Sequence, residues 1–301
     1  MPEDEVASYA GGKVKHSKSR VLIKLWYFLN QCRSILMKIE KLNPDAIENI
    51  YYKTIVSGDK VTDAKLPILL GKVSGLPKHI DALVVTSDLQ GIVRKDNHEI
   101  LLGEVLADYL PLFIEIELSL IPKNIGVVLC GDLYATLGKR GGLGDVRGVW
   151  NHFNKGFKWV AGISGNHDSF GEIKGFEEFK KIDGIHYFDK EISQIDCLSI
   201  AGISGIIGDS DRVNRISKED YLQRIKKLLL KSPDILILHQ TPGNLEEDYS
   251  GDENIRRIIE ASTPTLVFCG HIHWEKPLIE LANKTQVLNV DSRVVILLNH
   301  S

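Results

Sequence analysis

The sequence predicts an α/β fold, and two observations carry that expectation. Five short apolar runs, Asp81–Ser87, Ile125–Cys130, Trp159–Ser164, Ile235–Leu238 and Leu266–Cys269, have the length and bounding turn residues of buried strands. Each run ends on side chains that carry oxygen or nitrogen donors: Asp88 and Gln90, Asp132, Asn166 with His167 and Asp168, His239, and His271 with His273. In open α/β sheets ligands gather at the carboxyl ends of strands, so five such ends imply one shared site.

Taken in order, the chain starts with a polar stretch, residues 1–20, that ends in Lys13, Lys15, Lys18 and Arg20. The apolar run after it resembles the core of a signal peptide. Lys24 interrupts that run, however, and no small-x-small cleavage site follows. Leu22, Leu25, Trp26, Leu29, Cys32, Leu36 and Ile39 recur at steps of one, three and four until Asn43-Pro44, which predicts an amphipathic helix packed on the core or joining two copies of the chain. Tyr51 to Pro77 reads as a β-rich lead-in. Residues 21–79 are thus expected to form an N-terminal helix and lead-in, and residues 80–301 a catalytic domain.

His98 to Leu120 has helical spacing with Pro111 inside it, so two helical pieces or a kinked helix are expected. Glu177–Lys181, Lys218–Lys231 and Glu253–Ser262 are further helix candidates. Gln286–Val290 and Arg293–Leu298 read as a closing hairpin around Asp291-Ser292.

Composition narrows the function classes. A formal charge of -3 gives no global attraction to nucleic acid or anionic membrane. No run reaches transmembrane length. The four cysteines, Cys32, Cys130, Cys197 and Cys269, are far apart and lack a CxxC pair. They read as small buried hydrophobes in a reducing compartment, which points to the cytoplasm.

Singly, the strand-end residues have ordinary readings: Asp88 as a helix cap, Asn166 as a turn residue, His239 as a satisfied histidine. Together, Asp-x-Gln, Gly-Asp, Gly-Asn-His-Asp, a lone His and Gly-His-x-His form an ordered set. That set, over about residues 80–300, resembles the calcineurin-like metallophosphoesterase superfamily.

The resemblance implies a four-layer α/β/β/α sandwich of two mixed sheets flanked by helices. It further implies two divalent metal ions: Asp88, Gln90, Asp132 and His273 would hold one, and Asp132, Asn166, His239 and His271 the other, with Asp132 bridging. Carboxylate, amide oxygen and imidazole suit manganese first, with iron, zinc or nickel as alternatives. The implied reaction is hydrolysis of a phosphomonoester or phosphodiester by a hydroxide bridging the metals. His167 would be the general acid, oriented by Asp168 or Asp88. One departure is Gln90, where the commonest form of the motif has histidine; a neutral amide oxygen is usually the weaker donor, and a single bound metal is the alternative.

Between the second and third strands, Leu137 to Gly144 is a glycine-rich loop carrying Lys139 and Arg140. Its composition suits a phosphate-bearing substrate or a mobile loop equally, and it lacks Walker A spacing. Arg140, and Arg212 in a second charged loop, are candidate substrate contacts. A nuclease of the same superfamily would show a basic groove or a DNA-binding extension, and a non-catalytic interaction module would have lost ligands or the acid. A small phosphate ester is therefore the expected substrate.

Overall fold

The computed structural model describes residues 36–96, 98–244 and 249–300. Its first half runs β1 (Lys38–Leu42), β2 (Glu48–Val56), β3 (Lys60–Ser74), β4 (Ala82–Ser87), β5 (Ile92–Lys95), β6 (His98–Leu101), α1 (Leu102–Leu118), β7 (Ile125–Leu129), β8 (Gly144–Asp145) and α2 (Arg147–Gly156). Then come β9 (Trp159–Gly162), β10 (Asp168–Ser169), α3 (Ile173–Phe179), β11 (Ile185–Tyr187), β12 (Glu191–Ile195), β13 (Leu198–Ile203), β14 (Ile206–Ile207) and β15 (Arg215–Ile216). The last stretch is α4 (Lys218–Leu229), β16 (Ile235–Leu238), α5 (Glu253–Glu260), β17 (Leu266–Cys269), β18 (Leu278–Glu280), β19 (Gln286–Asn289) and β20 (Arg293–Asn299).

The result is a mixed α/β fold on two main sheets. The larger has ten strands in the order β11-β9-β7-β4-β20-β3-β2-β5-β6, with β1 also on β3; the smaller has six, β12-β13-β16-β17-β19-β18. β4, β7, β9 and β11 are mutually parallel in the first, and β13, β16, β17 and β19 in the second. Parallel strands in the middle of a sheet are covered on both faces, which explains why β4, β7, β9, β16 and β17 are buried throughout.

The two-residue period of a strand sorts their side chains. Val84, Val127 and Val160 face Leu106, Leu110, Val149, Trp150 and Phe153 of α1 and α2. Leu83, Val85, Val128 and Ala161 face Ile200, Ile235, Ile237 and Phe268 of the smaller sheet. Leu236, Leu238 and Val267, on the far side of that sheet, meet Tyr221, Ile225, Ile255 and Ile259 of α4 and α5.

Several sequence expectations need correction. The amphipathic pattern expected over 22–39, and its role in joining two copies, lies outside the described residues up to position 35. Its end is not helical, because Lys38–Leu42 pairs antiparallel with β3. In that strand Ile39 is buried, and its N–H donates to Gln286 Oε1 at 2.7 Å. The segment 98–120 is one short strand followed by one helix that holds Pro111. The helix expected over Glu177–Lys181 is Ile173–Phe179.

The closing hairpin does not form. β19 pairs with β17 and β18 in the smaller sheet, whereas β20 lies between β4 and β3 in the larger. Both segments are largely buried and need neighbours on two sides, which a two-stranded ribbon lacks. Asp291-Ser292 therefore carries the chain from one sheet to the other, with Ser292 left-handed at φ 52°.

Cys130 and Cys269 are free and buried, as expected, but Cys197 is disulfide-bonded, which runs against four reduced thiols. No helix among the described residues is long and apolar enough to cross a membrane.

Trp150 is fully buried, with its ring against Phe170, Phe179 and Tyr187. Trp150→Ala is expected to lower stability by about 3–5 kcal/mol in urea unfolding. Leu230→Ala, at a side chain 85% exposed, is expected to change it by less than about 0.5 kcal/mol.

Candidate metal centre

The carboxyl ends of β4, β7, β9, β16 and β17 converge because their strands are neighbours, in register and parallel within each sheet, and the two sheets face each other across a shared core. Where the strands stop, the backbone turns sharply. Asp88, Asp132 and His271 all have left-handed φ, at 54°, 55° and 74°, and Gly131 has φ 95°. Non-glycine residues rarely adopt that region and concentrate at functional sites.

Asp132 is the centre of the cluster. It is 2% exposed, and its Oδ1 accepts the His167 N–H at 2.8 Å. Its Oδ2 accepts the Gln90 side-chain amide at 3.1 Å and lies 3.2 Å from His239 Nε2. Gly165 has to be glycine, because a Cβ there would collide with Asp132 Oδ1. Gly270 likewise leaves room for Ser87 and Asp88 Oδ2. Asp88 Oδ2 accepts the His271 N–H at 2.9 Å, which ties the first and last motifs together.

Asp132, His239 and His271 each offer one donor atom, and these atoms lie within 4.8 Å of one another. His239 is fully buried; with its Nδ1–H donated to Cys130 O at 2.8 Å, Nε2 is left as the atom that faces Asp132. Two buried atoms here, His239 Nε2 and Asn166 Oδ1, have no hydrogen-bond partner. Leaving such groups unsatisfied costs about 1–3 kcal/mol each, and a cation coordinated by both would remove the cost. This donor set therefore fits a divalent metal of the oxygen- and imidazole-preferring kind.

The charges agree. Burial, then Asp291, pushes the Asp88 carboxyl well above its ordinary range. Burial would also raise Asp132, but the positive charge of His239 leads the opposing influences, and Asp132 is held low. Burial lowers His239, yet Asp132 and Asp88 outweigh it and lift the imidazole to about 10. Burial, then the His239 cation, lowers His271 to about 4. The cluster carries more buried carboxylate than it can neutralise, and a bound dication relieves that imbalance.

The remaining predicted residues are placed differently. His273 is half exposed; its Nδ1 is 3.3 Å from Asp291 Oδ1 and its Nε2 2.8 Å from Arg293 Nη2. Gln90 is turned with its amide nitrogen on Asp132, and half a turn of that amide exchanges its oxygen into the same place. His167 Nδ1 is 3.2 Å from Gly142 O, and its Nε2 is 3.9 Å from Asp132 Oδ2. Asp168 is fully engaged with backbone: it accepts the N–H groups of Asp132, Leu133 and Gly165 at 2.7–2.8 Å. Burial and Asp132 raise its carboxyl to about 6.

Arg140 is exposed and donates to Ser57 Oγ at 3.1 Å. Arg212 is exposed, and among the described residues its side chain makes no hydrogen bond or ion pair.

Sequence reasoning missed Arg293, Asp291, Gly142 and Tyr52. Asp291 stood in a presumed hairpin turn, and Arg293 at the start of the strand after it. Gly142 lies in a loop whose return to the site depends on the β8–β10 pairing. Tyr52 comes from the N-terminal lead-in and packs on Gly91, where a Cβ would strike its ring. A larger cavity of about 610 Å³, between α4 and α5, is lined by none of the site residues.

A calcineurin-like phosphoesterase family model matches residues 82–275. Among curated proteins, none matches this chain by sequence. The crystal structure of TT1561 from Thermus thermophilus is similar at 14% identity and a TM-score of 0.49, over 70% of this chain and 88% of that one.

Asp132→Asn is expected to lose more bound metal than Gln90→Ala, because it removes the shared charge; equal metal content by elemental analysis would contradict a bridging Asp132. Saturating manganese, at about 100 times its dissociation constant, is expected to stabilise the native protein by about 2.7 kcal/mol and raise the melting temperature by about 4–5 °C.

Proposed function

The chain belongs to the calcineurin-like phosphoesterase family, and from that premise we propose that it is a metal-dependent hydrolase of a small-molecule phosphate ester. The observation that carries this reading is the pair of orphaned donors, Asn166 Oδ1 and His239 Nε2, beside the buried Asp132 carboxylate. Buried polar atoms are seldom left unsatisfied; four others stand so elsewhere among the described residues, and it is the position of these two beside the Asp132 carboxylate that supports a bound cation.

In this reading Asp132, Asn166, His239 and His271 hold one divalent ion, and Asp88, Gln90, Asp132 and His273 the other, with manganese the first expectation. When bound, the two ions would supply Lewis acidity at the phosphoryl oxygens and lower the pKa of water toward neutrality. The three buried clusters are read as the interfaces of a four-layer α/β/β/α sandwich, with the centre at the sheet edges.

The chain supplies the other parts. His167 donates a proton to the leaving oxygen from Nε2, the ring nitrogen that faces the cluster. The Gly142 carbonyl accepts Nδ1–H and so fixes the ring's tautomer and tilt. Asp168 acts one step back: by binding three backbone N–H groups it locks the turns that carry Asp132 and His167, so it is a positioning residue. Asp88 does the same for His271.

Purified protein stripped of metal and resupplied with manganese, iron, zinc or nickel is expected to hydrolyse an aryl phosphomonoester or a bis-aryl phosphodiester. His167→Ala should lower kcat by about 10²–10⁴ while retaining bound metal. Hydrolysis unchanged in His167→Ala would remove that residue as the acid, and folded, metal-loaded protein inert on both esters would count against the phosphoesterase reading.

A further inference from the structure

Beside the metal centre is a cavity of about 140 Å³ between the N-terminal hairpin and the glycine-rich loop. The residues that matter in its wall are Lys53, Thr54, Gln90, Lys139, Arg140 and Gly142. Three of them are cations and none of the lining residues is an acid. Among the described residues the side chains of Lys139 and Arg140 make no pair with a carboxylate; that of Arg140 donates to Ser57 Oγ. Lys53 does pair with Asp63 at 2.7 Å, but Asp63 is 81% exposed, and such surface pairs contribute only about 0–1 kcal/mol.

The wall is held in place. Thr54 Oγ1 donates to Gln90 O at 2.8 Å, and Arg140 N–H donates to Asp59 Oδ1 at 3.2 Å, so the hairpin fixes both the first motif and the loop. On the other side the loop rests on Tyr134, against which a Cβ at Gly144 would collide. Gly141 takes φ 67°, a conformation that suits glycine.

Two wall residues also belong to the reaction site. Gln90 reaches Asp132 Oδ2 at 3.1 Å, and Gly142 O lies 3.2 Å from His167 Nδ1. A phosphoryl group at the metal centre with its leaving oxygen on His167 therefore has this cationic cavity beside its leaving group. Resting on the phosphoesterase reading above, we propose that the cavity binds a second phosphate on the leaving group, so that the natural substrate is a small bisphosphorylated molecule. Guanidinium and ammonium groups around a confined anion give charge-assisted hydrogen bonds, and a neutral leaving group would leave the Lys139 and Arg140 side chains without an anionic partner.

The test compares propyl phosphate with propane-1,3-diol bisphosphate, which differ by one phosphate. Metal-loaded protein is expected to favour the bisphosphate by at least about tenfold in kcat/KM, and Lys139→Ala/Arg140→Ala is expected to reduce that ratio by at least about tenfold. Both side chains are exposed, so the double variant should melt at the wild-type temperature. Lys139→Arg, which keeps the charge, should retain most of the preference. A ratio near one in the wild type, or one unchanged in the double variant, overturns the proposal.

Absence of turnover on both esters would instead count against the phosphoesterase reading. The cavity is then judged by calorimetric titration of propane-1,3-diol bisphosphate without added metal. Binding weakened at least about fivefold in the double variant supports the subsite, and equal or absent binding in the two proteins overturns it.

Discussion

Burying the Asp132 carboxylate at the end of β7 obliges the surrounding chain to answer a charge that water no longer solvates. It is answered from four directions. His167 supplies a backbone N–H, Gln90 a side-chain amide and His239 an imidazole. The fourth is the rigid turn that Asp168 makes by binding the Asp132 N–H itself. Those groups come from strand ends in both sheets. Without the packing of Val85 and Val128 against Ile237 and Phe268, they would not meet. The apolar core between the sheets thus sets the geometry of this buried polar cluster.

The cost of this arrangement is visible in the backbone and in the unsatisfied donors. Three strand-end residues take left-handed conformations that cost of order 1 kcal/mol or more each. At the centre itself, Asn166 Oδ1 and His239 Nε2 remain without a hydrogen-bond partner. A sequence under selection for stability alone would relieve both by replacing polar groups with apolar ones of similar shape. Their retention makes sense when a cation bound to the folded protein returns the energy.

Much of this was legible in the sequence because strands are read locally. Apolar runs such as ALVVTS and ILIL have the burial that their composition demands, and the donor following each run is fixed by chain connectivity. Helix starts expected at Lys218 and Glu253 stand where the structure puts them, each after a capping side chain: Ser217 accepts the Asp220 N–H, and Asp252 those of Asn254 and Ile255. What could not be read was pairing over distance. Nothing local to Gln286–Leu298 says that its two strands join different sheets. Nor does the β-rich lead-in disclose that β3 would lie beside β20 or that Tyr52 would reach the first motif. Arg293 illustrates the point: as one residue of an apolar strand it carried no signal, yet its guanidinium lies against His273.

The claim that the strand-end cluster is a metal centre is tested most directly by anomalous scattering from crystals grown with manganese. The account predicts an anomalous peak within coordination distance of Asp132, Asn166 Oδ1, His239 Nε2 and His271, the donors that already converge or stand unsatisfied. A folded protein in saturating manganese with no peak there, or with peaks only at surface carboxylates, would contradict it.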